Sequence, residues 1–205
     1  MIEVQKTDEF DSWLSALADQ RAIAKITSRI ERLGMGNAGD VKAVGEGVSE
    51  MRLTYGPGYR VYYKQTGKKI ILILCGGDKS TQDNDIKRGH QTSEGNRSAT
   101  LKGKKMVKVS KFDAADYLKT PVAIASYLTE AFETNDPAYI CAALDTVARA
   151  KGIGDVAKAT GLSRESLYKT FKETAKPEFD TVRKVMGSFG VKLVAEPIDE
   201  QKVVY

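Results

Sequence analysis

MRLTYGPGYRVYYKQTGKKIILILCGGDK, residues 51–79, reads as three consecutive antiparallel strands. Met51–Tyr55 is the first. Gly56-Pro57-Gly58 turns the chain, because proline fixes φ and its flanking glycines supply unusual dihedrals. Tyr59–Gln65 is the second strand, Thr66-Gly67-Lys68 the next turn, and Lys69–Cys75 an apolar strand with a buried look. Strand alternation puts Met51, Leu53, Tyr55, Tyr59, Val61 and Tyr63 on one face. Arg52, Thr54, Arg60, Tyr62 and Lys64 fall on the other. A hairpin symmetric about Pro57 sets Thr54 opposite Arg60 and Arg52 opposite Tyr62. Two guanidiniums, a phenol and an ammonium then share one open sheet face. Such a face suits a phosphodiester, since arginine forks grip phosphate oxygens and an aromatic ring stacks on a base. An ordinary solvated face of a two-layer domain fits the same pattern.

Upstream, Ile2–Lys6 alternates like a short strand. Asp8 suits the N-cap of a helix from Glu9 to Leu17, with Phe10, Trp13, Leu14 and Leu17 on one side. A second helix runs from Gln20 to Leu33 on Ile23, Ile26, Ile30 and Leu33, and Gly34-Met35-Gly36 ends it. Arg21, Lys25, Arg29 and Arg32 lie near one stripe of that helix, facing solvent or tracking RNA. Residues 34–47 are glycine-rich with one apolar run, Val41–Val44. Beyond the meander, Ser80–Gly89 suits a short last helix. Strand, two helices and a meander make an α+β domain, with helices packed on a small antiparallel sheet.

Charge divides the chain of 205 residues into three. Residues 1–91 carry a net +2, residues 92–111 a net +5 and residues 112–205 a net −2. The basic excess therefore sits in a polar, small-residue stretch that reads as a flexible linker between two domains. Its charges could also contact nucleic acid. Cys75 and Cys141 fall in separate halves, which suggests reduced, structural thiols in a cytoplasmic protein. No leader-like start and no apolar run of membrane-spanning length is present. Zinc spacing, a P-loop and a dinucleotide fingerprint are absent, so no cofactor or metal is expected.

The second half is helical. Asp113–Leu118 suggests a short amphipathic turn or helix. Thr120-Pro121 opens a helix through Phe132, and Asp136-Pro137 opens another that ends near Gly152. Residues 153–172, IGDVAKATGLSRESLYKTFK, have the pattern of a helix-turn-helix. Gly161 takes the tight turn, Ser163 caps Arg164–Lys172, and Leu167 and Phe171 point inward. Ser163, Arg164, Glu165, Tyr168, Lys169 and Lys172 remain to meet DNA, with Arg164 and Glu165 near base edges and Lys169 and Lys172 on phosphates. A helical protein-interaction module with a solvated polar face has the same pattern. Phe179–Phe189 is a further helix and Val191–Ala195 a short strand.

The first 91 residues resemble the addiction-module killer proteins of the RelE/HigB toxin superfamily. The resemblance lies in Glu50-Met51-Arg52, Tyr55–Tyr63, Ile71–Gln82 and Asp85–Arg88, in that order. Residues 113–197 resemble HigA-like antidote proteins with a lambda-repressor-type, all-α fold, through DAADYL, the helix Pro121–Phe132, DTVARAKG and TGLSRESLYKTF. The resemblance implies a toxin domain (1–91), a linker (92–111) and an antitoxin domain (112–205) on one chain. It also implies a metal-independent endoribonuclease acting on mRNA in the ribosome, where a 2′-hydroxyl attacks the adjacent phosphate. Fixed cations aimed at the phosphate oxygens lower that barrier. Arg52 and Arg60 are the candidates for this role, with Lys79 at the sheet rim, Tyr62 stacking or moving a proton, and His90 as acid or base. The antidote resemblance implies neutralisation of the toxin and binding of operator DNA as a homodimer. A roughly 20-residue tether spans about 25 Å r.m.s., so local concentration reaches the millimolar range and the intact chain should show little RNase activity. Pairing between two chains would do the same job. Two alternatives remain: a ParE-like toxin that poisons gyrase, and a DNA-binding regulator with an inactive toxin-like domain.

Overall fold

The computed structural model describes residues 2–97, 107–172 and 175–197. The chain opens with β1 (Glu3–Thr7) and passes directly into α1 (Asp8–Ala16). Thr7, rather than Asp8, caps α1: its hydroxyl accepts from the Phe10 amide at 3.1 Å. Asp8, Glu9 and Asp11 then occupy the first turn, where carboxylates meet the positive end of the helix dipole. The Asp19 carboxylate caps α2 (Gln20–Gly34) by accepting from the amides of Arg21 and Ala22. Ile23, Ile26, Ile30 and Leu33 form the buried stripe of α2, as their spacing predicts.

The glycine-rich stretch contains a strand that its composition conceals, β2 (Val41–Gly45). It turns through Glu46 and Gly47, with φ of 52° and 74°, as a tight two-residue hairpin requires. β3 is Val48–Arg52, three residues earlier than the expected Met51–Tyr55. β4 (Arg60–Thr66) and β5 (Ile70–Gly77) follow. Arg52 stands opposite Arg60, and Glu50 opposite Tyr62. The hairpin is therefore centred on Gly56, not Pro57, which shifts the expected register by two residues.

The sheet order is β2-β3-β4-β5-β1-β6. β1 runs parallel to β5, with Glu3 opposite Ile70 and Lys6 opposite Ile73. The sheet is thus mixed, not antiparallel, because the route through α1, α2 and the meander returns β5 beside β1 in the same direction. One face packs on α1 and α2 through Met51, Val61, Tyr63, Ile71 and Ile73. Gly76 admits the Trp13 indole so closely that a Cβ there would lie 2.2 Å from the ring. The other face holds Val48, Tyr62, Leu72, Leu74 and Cys75, with Ile86 of α3 (Gln82–Arg97) packed against them.

α3 runs well past Gly89, the expected end, into the stretch read as linker. Its sequence is weakly helical, but tertiary contacts hold it. Gln82 donates to Glu50 at 2.8 Å and Ser93 accepts from Lys64 Nζ at 2.6 Å, while the buried Asp85 accepts locally from Thr81 and Arg88. The far end of the same stretch is also structured: β6 (Val109–Lys111) pairs antiparallel with β1, Gln5 opposite Lys111 and Thr7 opposite Val109. The expected linker's central residues, 98–106, lie outside the described residues.

A 3-10 turn (Ala114–Asp116) leads to α4 (Pro121–Phe132), capped by Thr120, and α5 (Pro137–Lys151), capped by Asp136. Then come α6 (Ile153–Thr160), α7 (Arg164–Thr170) and α8 (Phe179–Ser188). Residues 191–195 form no strand, a correction to the alternation read there. The architecture is an α+β unit on a mixed sheet followed by a mostly helical region. Among the described residues no helix is long and apolar enough to cross a membrane.

Candidate functional site

Glu50 is the centre of the face that alternation assigned to the arginines. It is fully buried in β3 and serves three partners from two elements, β4 and α3. The Tyr62 hydroxyl donates to its Oε1 at 3.0 Å, the Gln82 amide donates to the same oxygen at 2.8 Å, and Arg60 Nη1 lies 3.3 Å from Oε2. Arg60 is itself only 12% exposed in its side chain, so this is a buried ion pair. Arg52 is more open and donates from Nη2 to Asp40 at 2.6 Å. Both guanidiniums are thus held by carboxylates, and both Nε atoms are buried without a hydrogen bond among the described residues.

Tyr62 is not on an open face. α3 covers it completely, and burial, then the neighbouring Glu50 carboxylate, pushes its phenol far above the ordinary range. The ring has no surface on which a base could stack in this conformation. Lys79 is exposed in the turn after β5, against the β3–β4 loop, where the Cβ position of Gly58 lies 3.5 Å from Lys79 Cβ. His90 lies on α3, not in a tail. Its Nε2 is 3.1 Å from the Val44 carbonyl and its Nδ1 3.9 Å from Glu46. Those partners lie at the end of β3 opposite Arg52, about 13 Å along a five-residue strand. Arg52, Arg60 and Lys79 therefore share one end of the sheet, and His90 belongs to the other.

A second set of polar contacts joins the α+β unit to the helical region. Lys6 of β1 is buried; it donates to Asp11 at 2.7 Å and to the Tyr117 hydroxyl at 2.7 Å, with its ammonium 4.7 Å over that ring. Ser28 Oγ and the Tyr139 hydroxyl lie 2.8 Å apart. Lys25 of α2 pairs with Glu130 of α4. Glu31 accepts from the Tyr127 hydroxyl and from Thr146 Oγ1, the latter at 3.1 Å. The backbone continues the connection, since the Phe112 amide donates to the Val4 carbonyl at 2.9 Å. The sequence carried little sign of these acids. Glu31 and Glu130 look like ordinary helix-surface residues until α2 and α4 are packed together.

Burial pushes the Glu31 carboxyl from its ordinary 4.5 up to about 7, against the lowering effect of Tyr127 and Thr146. The folded protein therefore holds a proton on Glu31 that the unfolded chain releases above 4.5. Its contribution is full below about 4.5, falls as pH rises toward 7, and is lost above 7. Urea melts of the wild-type chain and Glu31→Gln across this window should diverge, the wild type losing stability with rising pH while the variant does not. Parallel curves would remove Glu31 as the titrating group.

The helix-turn-helix residues are placed as their pattern predicts locally. Gly161 adopts φ of 72° between α6 and α7, and Leu167 and Phe171 are buried. Ser163 Oγ accepts from the Ser166 amide at 3.0 Å, so its hydroxyl serves as a cap. Arg164, Glu165, Tyr168, Lys169 and Lys172 are exposed, with Glu165 and Lys169 paired at 2.9 Å. Arg164 folds back on α6, where a Cβ on Gly154 would meet its Nη2 at 2.7 Å. Lys172 lies beside a cavity of about 730 Å³ lined by both halves, including Glu31, Asp113 and Arg149. Cys75 and Cys141 are buried free thiols, and burial pushes Cys75 up to about 12. Among the described residues no group of three or more His, Cys, Asp or Glu is arranged to hold a metal ion.

Residues 108–197 match the family described as "Probable addiction module antidote protein". Two uncharacterized proteins of Haemophilus influenzae are similar to parts of the chain. One is 54% identical over 87 residues, which is 42% of this chain and 88% of the relative. The other is 37% identical over 81 residues, 40% of this chain and 84% of the relative. No solved structure matches the chain.

Proposed function

The C-terminal region of this chain, residues 108–197, belongs to the probable addiction module antidote family, and from that premise we propose that the chain carries a toxin and its antidote in one polypeptide. An antidote of this kind needs a toxin, and the α+β unit is the partner it already touches. One observation carries the reading. The matched region begins at β6, which completes the sheet of the N-terminal unit, and continues into α4 and α5, which cover α2. The contact is a built interface with buried Lys6, Tyr127 and Tyr139, not a loose encounter.

In this reading the toxin half cleaves mRNA by 2′-hydroxyl attack. Arg52 and Arg60 supply positive charge to the phosphate oxygens, and Lys79 assists from the rim. In the intact chain the helical half covers α2 and closes the sheet beside β1, so RNase activity is low. Asp40 and Glu50, which pair with the two guanidiniums, belong to the toxin half itself and give way to the substrate phosphate there. The helical half represses its own operator through Arg164, Glu165, Tyr168, Lys169 and Lys172, as a dimer that pairs two half-sites. The enclosed Tyr62 removes one ground for preferring RNA, and that favours keeping a gyrase-directed toxin as the second reading.

The test is growth of cells that make residues 1–97 alone, the same fragment with Arg52→Ala and Arg60→Ala, and the fragment with residues 107–205 supplied separately. Arrest by the fragment alone, with shortened mRNA and rescue by the helical half, is the expected result. Arrest with trapped gyrase–DNA complexes and intact mRNA selects the second reading. A soluble, folded fragment that leaves growth untouched overturns both.

A further inference from the structure

Three cations of α2, Lys25, Arg29 and Arg32, recur on one helical stripe and meet Arg52 from the end of β3. They line a cleft of about 380 Å³ between the two halves, with Asp40, Leu53, Thr54, Tyr55 and Glu130 completing its wall. Four cations face two carboxylates, a net charge of +2. Asp40 belongs to the α+β unit and pairs with Arg52. Glu130 comes from the antidote-family region and pairs with Lys25, whose ammonium also lies 5.3 Å over the Tyr55 ring. The Glu130 side chain is only 15% exposed. Arg29 donates to the Ala38 carbonyl at 3.1 Å, and burial together with the Arg32 charge lowers its pKa. A site that crowds cations against burial and mutual repulsion is stabilised by an anion.

We propose that this cleft binds a phosphodiester of a single RNA strand, and that Glu130 is its built-in occupant. A carboxylate and a phosphodiester each spread one negative charge over two oxygens, so one can stand where the other binds. Glu130 therefore closes the site while the halves are docked and vacates it when they part. The cleft shares Arg52 with the proposed reaction centre and extends away from the Glu50-centred group, since its other three cations, Lys25, Arg29 and Arg32, come from α2. Only the identity of the strand as RNA rests on the toxin reading; the anion site rests on the cleft itself.

The experiment uses the full chain and a short labelled oligouridylate, with anisotropy read over a salt series. Glu130→Gln should bind about tenfold tighter than wild type at low salt, and its plot of log K against log salt should steepen by about 0.7 for one added phosphate contact. Arg32→Gln in that background should return binding to the wild-type level. Pyrophosphate should compete with the oligouridylate in Glu130→Gln and much less in the double variant. Glu130→Asp keeps the charge and should stay near wild type, which separates loss of charge from general loosening. Melting temperatures report that each variant is folded. No gain in Glu130→Gln, an equal gain in Glu130→Asp, or a gain that survives Arg32→Gln overturns the proposal. The outcomes also separate the two readings. Tighter binding with no growth arrest by residues 1–97 leaves this site standing and removes the nuclease; arrest with unchanged binding does the reverse.

Discussion

Glu50→Ala lowers stability by about 3–5 kcal/mol, the range for stripping one partner from a buried ion pair. The substitution strands Arg60, removes the acceptor of the Tyr62 hydroxyl and frees the Gln82 amide. Much of that loss comes from the uncompensated guanidinium, not from missing attraction. Pairing Glu50→Ala with Arg60→Met should therefore recover a large part of the stability, because two desolvated charges leave together. Urea denaturation of the single and double variants measures both numbers. A double variant no more stable than Glu50→Ala would mean that the carboxylate matters for Tyr62 and α3, with Arg60 a bystander.

Tyr127→Ala is expected to cost a further 3–5 kcal/mol, by loss of a fully buried aromatic ring and the cavity it leaves. This ring comes from α4 and its hydroxyl donates to Glu31 of α2, so it acts on the contact between the two halves. Tyr127→Phe keeps the ring and deletes only the donor, at about 1–3 kcal/mol. The comparison separates packing from hydrogen bonding. If Tyr127→Phe were as damaging as Tyr127→Ala, the hydroxyl would dominate and the packing account of the interface would fail.

Local signals in this chain were strong wherever one residue type has one physical use. Thr120-Pro121 and Asp136-Pro137 announced α4 and α5, and Gly161 with Ser163 announced the turn into α7. The apolar stripe of α2 was legible for the same reason. β2 was missed because Val41–Gly45 is an exposed edge strand flanked by glycines, with no buried face to impose alternation. The register of β3 against β4 was missed because the β3–β4 loop spans seven residues, and proline within it gave no guide to its centre. The length of α3 was illegible since Gln82 and Ser93 are held by Glu50 and Lys64, partners about 30 residues away in sequence. At the candidate site, the arginines were visible as a pattern but their counter-ions were not. Asp40 and Glu50 neutralise them only once the sheet is assembled, and Glu130 reaches Lys25 only across the packed halves.

β6 has a consequence for how the two halves come apart. A three-residue strand of the antidote-family region seals the rim that β1 would otherwise present. Taking the helical half away strips that seal and bares a row of unpaired amides and carbonyls, the kind of rim that recruits any extended segment nearby. The nearest replacement in a crowded population is the same arm of another molecule. Reciprocal exchange of these arms would build a closed two-chain ring in which the β1 rim of each chain is sealed again. Separation is thus self-limiting: a parted pair either recloses on itself or is stitched to a neighbour, and a bare β1 rim persists only where no free arm is within reach.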